Sequence, residues 1–346
     1  MTETIPTISD ITDASLAVRL HSAIDNKTKP LGALGRLEAL ALRIGSILGT
    51  ENPVLEAPQM LVCAGDHGLA ARGVSAFPSD VTWQMVENFL AGGAAVSVLA
   101  RQHGLALTVV DCGVRRDFQP RPGLVSRRIA EGTADASTGP AMTPAQCTQA
   151  IVNGREVVRA LPGNALLLGE MGIGNSSSAA LLLSRLGGLD IDVCIGVGTG
   201  LDAAGLARKR EVLRQVLALH AGATAPLDAL AAFGGFEIAT LVGAVLQAAE
   251  ERRVIVVDGF IASAAVLVAQ ALQPCVVQRC VAAHCSAEPG HLLLLERLGL
   301  DPLLNLELRL GEGSGGALAW PLLESACRIL REMASFESAG VSRKDT

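Results

Sequence analysis

The chain has 346 residues and a formal net charge of −6, and 50% of its residues are hydrophobic although only 3% are aromatic. This acidic balance excludes a nucleic-acid footprint, which needs clustered Lys and Arg. The first residues lack the basic and apolar regions of a signal peptide, and no apolar run reaches the roughly 18 residues of a membrane span, so we expect a cytoplasmic protein without membrane partners.

Short apolar runs alternate with helical segments along most of the chain. Residues 11–48 predict two helices around a loop at 27–32. Beyond a Pro-containing link, the alternation is typical of a parallel sheet covered on both faces. The predicted strands are 60–64, 105–110, 165–168, 254–257 and 276–283, and the predicted helices are 79–102, 176–186, 203–220 and 261–272. The fold class is therefore α/β, with a parallel Rossmann-like sheet flanked by helices.

An acidic residue lies at the end of several apolar runs. The five acids are Asp66, Asp111, Glu170, Asp258 and Glu312. Because ligands bind at the carboxyl ends of the strands in open parallel sheets, we expect these acids at one rim. Each acid taken alone is more often a helix cap or a turn residue. Some of the five are therefore structural, and the pattern does not identify which.

Two Gly-rich stretches precede predicted helices. Residues 172–178, Gly-Ile-Gly-Asn-Ser-Ser-Ser, place backbone N–H groups at a helix N-terminus, which suits a phosphate. Residues 196–202 form a similar turn. Neither stretch matches the P-loop, so ATP chemistry is disfavoured. Three basic residues of the following helix are more often a solvated face than a phosphate clamp: Arg208, Lys209 and Arg210.

Residues 310–318 set Glu312 in a Gly-rich turn between two apolar segments. Gly311, Gly313 and Gly316 satisfy the dinucleotide pattern G-x-G-x-x-G, but that fingerprint needs a βαβ unit of about 30 residues. Residues 317–346 predict only one helix and a polar tail. We therefore interpret the stretch as a glycine loop that presents Glu312 to a ligand. The alternative is an ordinary glutamate at a helix N-terminus.

The eight cysteines indicate reduced thiols, because the chain lacks a signal peptide. One cluster has the side chains that zinc prefers, namely Cys275, Cys280, His284 and Cys285. The cluster lies in and next to the apolar run 275–283, which is typical of core residues. We expect no metal site there.

Six stretches, in order along nearly the whole chain, carry a resemblance to one family. They are residues 28–38, 64–68, 73–78, 169–177, 196–202 and 311–317, among them Ala-Gly-Asp-His-Gly at 64–68 and Gly-Glu-Gly-Ser-Gly-Gly-Ala at 311–317. Together they resemble the nicotinate-nucleotide:dimethylbenzimidazole phosphoribosyltransferases, which make the lower-ligand nucleotide of cobalamin. The chain departs from the family's usual Pro-x-Gly-Ser-Leu-Gly at Leu31 and Ala33, within a loop.

The resemblance implies a reaction and an architecture. Phosphoribose would pass from nicotinate mononucleotide to 5,6-dimethylbenzimidazole or a related base, giving α-ribazole 5′-phosphate and nicotinate, with no cofactor and no metal. It also implies a homodimer, with a large catalytic domain at 52–316 and a small helical domain formed by 1–51 and 317–346. The alternatives are a non-catalytic nucleotide-binding or regulatory protein on the same fold and, more distantly, a zinc enzyme.

The resemblance also assigns roles to residues of this chain. Glu312 would be the general base, with Glu170 as a supporting carboxylate. Four residues would line the benzimidazole pocket: Phe77, Gln84, Met85 and Leu310. The residues expected to hold the nucleotide phosphate are Gly172, Gly174, Asn175, Ser176, Ser177, Gly198, Thr199 and Gly200, with Lys209 as a counter-charge.

Overall fold

The computed structural model describes residues 5–342 of the chain. The strands are β1 (Gln59–Gly65), β2 (Ala106–Gly113), β3 (Leu124–Ser126), β4 (Ala165–Met171), β5 (Val254–Val257) and β6 (Cys280–Ala282). They form one sheet in the order β3-β2-β1-β4-β5-β6, and every neighbouring pair is parallel. The predicted α/β class, a parallel sheet flanked by helices, is confirmed.

The described residues form fourteen α-helices. They are α1 (Ala14–Asp25), α2 (Arg36–Leu48), α3 (Asp80–Ala91), α4 (Ala95–His103), α5 (Pro144–Ala160), α6 (Asn175–Gly187), α7 (Ile191–Cys194), α8 (Ala203–Leu219), α9 (Pro226–Phe233), α10 (Phe236–Glu250), α11 (Phe260–Leu272), α12 (Pro289–Leu298), α13 (Ser314–Glu332) and α14 (Phe336–Ala339). From residue 5 to residue 342, none combines the length and the apolar content needed to cross a membrane.

Two hydrophobic clusters cover the two faces of the sheet, because successive strand residues point to opposite sides. Leu61 and Cys63 of β1 join the cluster that contains the apolar side chains of α5, α6, α10 and α11. Met60 and Val62 join the other cluster, with those of α1, α2, α4 and α13. Buried residues on both faces explain why the strands are continuous apolar runs in the sequence.

The structure differs from the predicted elements in several places, and helices α5, α9, α10 and α12 were not predicted. The predicted helix 79–102 is two helices, since the pair Gly92-Gly93 separates α3 from α4. The predicted strand 276–283 begins as a 3-10 helix, Pro274–Arg279, and only Cys280–Ala282 pairs with β5. Strand β3 was not predicted, because it is a three-residue, partly exposed edge strand with little apolar pattern.

The two ends of the chain meet beside the sheet. The amide of Thr28 donates to the carbonyl of Ala334 at 3.0 Å, and the amide of Phe336 donates to the carbonyl of Asn26 at 3.1 Å. Helices α1, α2 and α13 share one hydrophobic cluster with residues of β1, β4 and β5. The division into domains 52–316 and 1–51 with 317–346 remains a prediction.

Helices α5 and α10 cross at a pair of glycines. A Cβ atom on Gly154 would overlap the carbonyl oxygen of Thr240, and one on Gly243 would overlap the carbonyl oxygen of Ile151. Each helix therefore packs its backbone directly against the other, and a side chain at either position would separate them.

We predict that Gly243→Ala lowers the free energy of unfolding by about 1–3 kcal/mol or more, because the added methyl group meets rigid backbone. Gly222→Ala is the matched control, since a Cβ atom there has nothing within 4 Å. Urea or thermal unfolding of both variants measures the difference. Equal unfolding midpoints for the two would contradict the tight crossing.

Candidate active site

A cleft with about 750 Å³ of empty space, open solvent included, lies at the carboxyl ends of β4, β5 and β6. Loops that follow these strands supply most of its wall. Residues 74–75, the turn at 198–199 and the segment just before α13 supply the rest. The lining includes Glu170, Gly172, Gly174, Asn175, Ser176, Gly198, Thr199, His284, Glu288, Arg309, Leu310 and Gly311. This is the edge of the sheet at which a parallel α/β fold binds its ligands.

The five acids that follow the strands separate into two groups. Asp111 accepts the amides of Gly113 and Val114 at 3.0 and 2.9 Å, so it stabilises a turn. Asp66 likewise accepts the amide of Arg115 at 2.9 Å. Neither belongs to the lining of the cleft among the described residues. The other three acids, Glu170, Asp258 and Glu312, lie close enough to influence one another electrostatically.

Asp258 fixes the turn that carries Glu312. Its two carboxylate oxygens accept the amides of Gly313 and Gly316, at 3.1 and 2.9 Å, and so cap the N-terminus of α13. Glu312 itself has φ +66°, a left-handed conformation that is uncommon for a residue with a side chain. Asp258 is therefore the structural member of this acidic group, a role that the sequence pattern left open.

The Glu312 turn lies directly against the end of β4. A Cβ atom on Gly169 would overlap the carbonyl oxygen of Glu312, and one on Gly311 would lie 2.5 Å from Oε1 of Glu170. Glu170 accepts a hydrogen bond from the side-chain amide of Asn175. Glu312 is only 5% exposed, and it lies behind the part of the cleft wall formed by Leu310 and Gly311.

Burial raises the pKa of both glutamates. The pKa of Glu312 rises to about 7, first because the carboxyl is desolvated and second because the Asp258 charge is nearby. The pKa of Glu170 rises to about 8, mainly through desolvation, although its hydrogen bond from Asn175 acts in the opposite direction. A carboxyl group with a pKa near neutrality is well suited to accept a proton.

The residues expected to bind phosphate start helix α6. Gly174, with φ +97°, is the N-cap, and the backbone of 172–176 borders the cleft. Ser177 is fully buried and belongs to no part of the cleft wall. The amides of Ile173, Asn175 and Ser177 already donate to groups of the protein. What this turn offers an anion is the positive end of the helix dipole together with the remaining amides of 172–176.

Lys209 lies in the protein interior, so its interpretation as part of a solvated face is wrong. Its side chain is 0% exposed because position 209 falls on the buried face of α8, in line with Gly205, Leu213 and Val216. The ammonium donates to Oγ of Ser176 at 3.0 Å and to the carbonyl of Gly196 at 3.2 Å. Burial lowers the pKa of Lys209 to about 8, against the opposing influence of Glu288.

The residues expected to surround the aromatic base are more dispersed. Leu310 borders the cleft and is 57% exposed. Phe77 and Gln84 are exposed and Met85 is half-buried, and none of the three borders the cleft as the described residues form it. Gly200 is also outside the lining, next to Gly198 and Thr199, which belong to it. Contacts of these residues with a substrate remain predictions.

Several polar residues of this region were not predicted from the sequence. His67 and Glu237 form a buried pair with 2.6 Å between Nε2 and Oε1. His284 borders the cleft with Nε2 3.5 Å from Asp258. The Asp66-His67 sequence is a usable signal for a strand-end site, whereas Glu237 lies in a helix that was not predicted.

No group of three or more His, Cys, Asp or Glu side chains in residues 5–342 is arranged to hold a metal ion. Cys280, a member of the sequence cluster, directs its Sγ to the carbonyl oxygen of Val276 at 3.6 Å. The Sγ of Cys285 lies 3.7 Å from the carbonyl oxygen of Ser286. These thiols are therefore engaged with local backbone.

Comparisons with known proteins identify the class. A sequence model of the family described as phosphoribosyltransferase matches residues 10–341. A protein of Variovorax paradoxus, 87% identical over 99% of both chains, is named nicotinate-nucleotide–dimethylbenzimidazole phosphoribosyltransferase. A protein of Cupriavidus necator with the same name is 60% identical over 97% of this chain and 98% of its own. The fold and the matches define a phosphoribosyltransferase.

The solved structures agree with this class. The crystal structure of CobT from Thermus thermophilus has 43% sequence identity and a TM-score of 0.93, and the match covers 95% of this chain and 100% of that one. This chain belongs to the nicotinate-nucleotide–dimethylbenzimidazole phosphoribosyltransferase family. The resemblance drawn from the six sequence stretches is confirmed.

Proposed function

We propose that this enzyme transfers phosphoribose from nicotinate mononucleotide to 5,6-dimethylbenzimidazole, giving α-ribazole 5′-phosphate and nicotinate in the assembly of the cobalamin nucleotide loop. The observation that carries the proposal is the 87% identity, over 99% of both chains, with a relative named for this activity. The same comparison favours catalysis over the non-catalytic nucleotide-binding alternative. It gives no support to a zinc enzyme.

The chemistry requires little acid assistance. The nicotinate ring departs from a pyridinium, which is a good leaving group, and positive charge develops on the ribose as the C1′–N bond breaks. The benzimidazole attacks C1′ through one ring nitrogen, and the N–H of the other nitrogen loses its proton. One general base and a phosphate site are therefore the main requirements.

Glu312 is the residue that we assign as the base. Its support is the buried carboxyl with a pKa of about 7 in a fixed turn beside the cleft. Glu170, with the higher pKa of about 8, is mostly protonated at neutral pH. We assign Glu170 to support, because its contact with Gly311 and its bond from Asn175 connect the Glu312 turn to the phosphate loop.

The phosphate is assigned to the opposite wall of the cleft. The loop at 172–176 and the turn at 198–200 border this wall, and the buried ammonium of Lys209 donates a hydrogen bond to Ser176 from behind it. The aromatic base is assigned to the side of Phe77, Gln84, Met85 and Leu310. In this arrangement the bond that breaks lies between the phosphate loop and Glu312.

The direct test incubates the protein with nicotinate mononucleotide and 5,6-dimethylbenzimidazole, without added metal, and measures released nicotinate and α-ribazole 5′-phosphate. Both products should appear in equal amounts. Binding of the nucleotide without either product would support the non-catalytic alternative instead.

We predict that Glu312→Gln lowers kcat by roughly 10²–10⁴-fold, the usual contribution of a general base, while the affinity for nicotinate mononucleotide is nearly unchanged. Glu170→Gln should lower kcat less. Steady-state nicotinate release and calorimetric nucleotide binding measure both effects. Near-normal turnover of Glu312→Gln would transfer the role of base to another group, and loss of nucleotide binding would make Glu312 a structural residue of its loop.

The raised pKa of Glu312 predicts a specific pH dependence. A base acts in its ionised form, so kcat should increase with pH through about 7 and then level off. With the ordinary pKa of 4.5, the rate would be level well below neutrality. Turnover measured from about pH 5.5 to 9 should show the increase in the wild type and in Glu170→Gln, and lack it in Glu312→Gln. A wild-type rate that stays flat would exclude this ionisation.

We also propose that the enzyme is cytoplasmic and a homodimer, which the family resemblance implies. Size-exclusion chromatography with light scattering should give about twice the chain mass of 35.6 kDa. A monomer with full activity would refute the dimer.

A further inference from the structure

A buried histidine connects three elements beneath the cleft. His67 follows β1, is 1% exposed and uses both ring nitrogens. Nε2 lies 2.6 Å from Oε1 of Glu237, in the first turn of α10. Nδ1 lies 3.1 Å from Oγ of Ser178, in the first turn of α6. One side chain thus holds a strand end and two helix starts together.

The same ring lies directly under the phosphate loop. A Cβ atom on Gly172 would lie 3.3 Å from Cδ2 and Nε2 of His67, and one on Gly235 would overlap the ring. Burial disfavours the imidazolium, but the carboxylates of Glu237 and Asp66 outweigh it, so the pKa of His67 is raised. As an imidazolium, His67 donates to Glu237 and to Ser178 at the same time.

A fully buried ion pair needs an explanation beyond fold stability. Desolvation of two charges offsets most of their attraction, and apolar replacements of such pairs are often as stable. The pair is therefore weak evidence for stability and better evidence for a fixed geometry. The geometry that it fixes is the junction of β1 with the first turn of α6, whose residues Asn175 and Ser176 border the cleft.

We infer that His67 is a positioning residue, which holds Ser178 and thereby the start of α6 and the loop at 172–176 in the orientation that binds the 5′-phosphate of the nucleotide. This inference rests on the proposed function. His67 itself touches neither substrate, because it lies behind the loop and outside the cleft wall as the described residues form it. Its effect should appear in nucleotide binding and not in binding of the aromatic base.

Ser178→Ala is the main test, because it removes the bond to α6 and leaves the His67–Glu237 pair intact. Ser184→Ala is the matched control, a serine at the other end of α6 whose Oγ donates to the carbonyl of Leu189. Calorimetry with nicotinate mononucleotide alone gives the dissociation constant, and steady-state assays give KM for each substrate. We expect Ser178→Ala to weaken nucleotide affinity about 3–10-fold, the range expected for losing one ordinary hydrogen bond, with an unchanged KM for the base.

His67→Gln is the second variant and should show the same selectivity with a larger effect. If His67→Gln does not fold, the inference is tested by Ser178→Ala alone. Equal increases in both KM values, or no change in nucleotide affinity relative to Ser184→Ala, would overturn the inference. Absence of transfer by the wild type would refute the proposed function, whereas the calorimetric comparison still tests the role of His67 in nucleotide binding.

Discussion

The close contact between the Glu312 turn and the end of β4 is the constraint on which the site depends. At Gly169 the two backbones leave no room for a side chain, and Gly313 packs against Met60 and Gly169 in the same way. Asp258 holds the turn from the other side through two backbone amides. Because β4 lies beside β1 near the middle of the sheet, this contact brings a late segment of the chain to the centre of the rim.

Two opposed electrostatic effects act on the carboxyl group placed there. The amides at the start of α13 favour an ionised Glu312, as helix N-termini do. Desolvation favours the protonated form, and the net pKa of about 7 shows that burial has the larger effect. Since the folded protein binds this proton more tightly than the unfolded chain does, the associated stability is greatest below the ordinary pKa of 4.5 and is lost as pH rises through about 7. Catalytic groups typically have a perturbed pKa of this kind, although the perturbation lowers the stability of the folded protein at higher pH.

The sequence predicted the parts of the site that depend on local pattern. Continuous apolar runs identified β1, β4 and β5, and parallel pairing then required that Glu170 and Asp258 share a rim. Glycines identified the 172–174 and 311–313 turns. Other features of the site depend on tertiary packing and could not be predicted from the local sequence pattern. Helix α10 is buried on nearly all sides, so it lacks the amphipathic period that predicts a helix, and Glu237 was missed with it. Burial of Lys209 depends on which face of α8 meets the protein, and the sign of the pKa shift of Glu312 depends on desolvation that only tertiary structure defines.

The assignment of Glu312 as the base is tested most directly by a crystal structure of the enzyme with bound 5,6-dimethylbenzimidazole. Leu310 and Gly311 border the cleft and Glu312 lies behind them. The position of the bound ring therefore shows whether the ring reaches the Glu312 carboxylate. We predict that one ring nitrogen lies within about 2.6–3.2 Å of a Glu312 carboxylate oxygen, the range for direct proton transfer, with the other nitrogen facing the phosphate loop. A ring bound in the cleft with both nitrogens beyond hydrogen-bonding reach of Glu312 would contradict it.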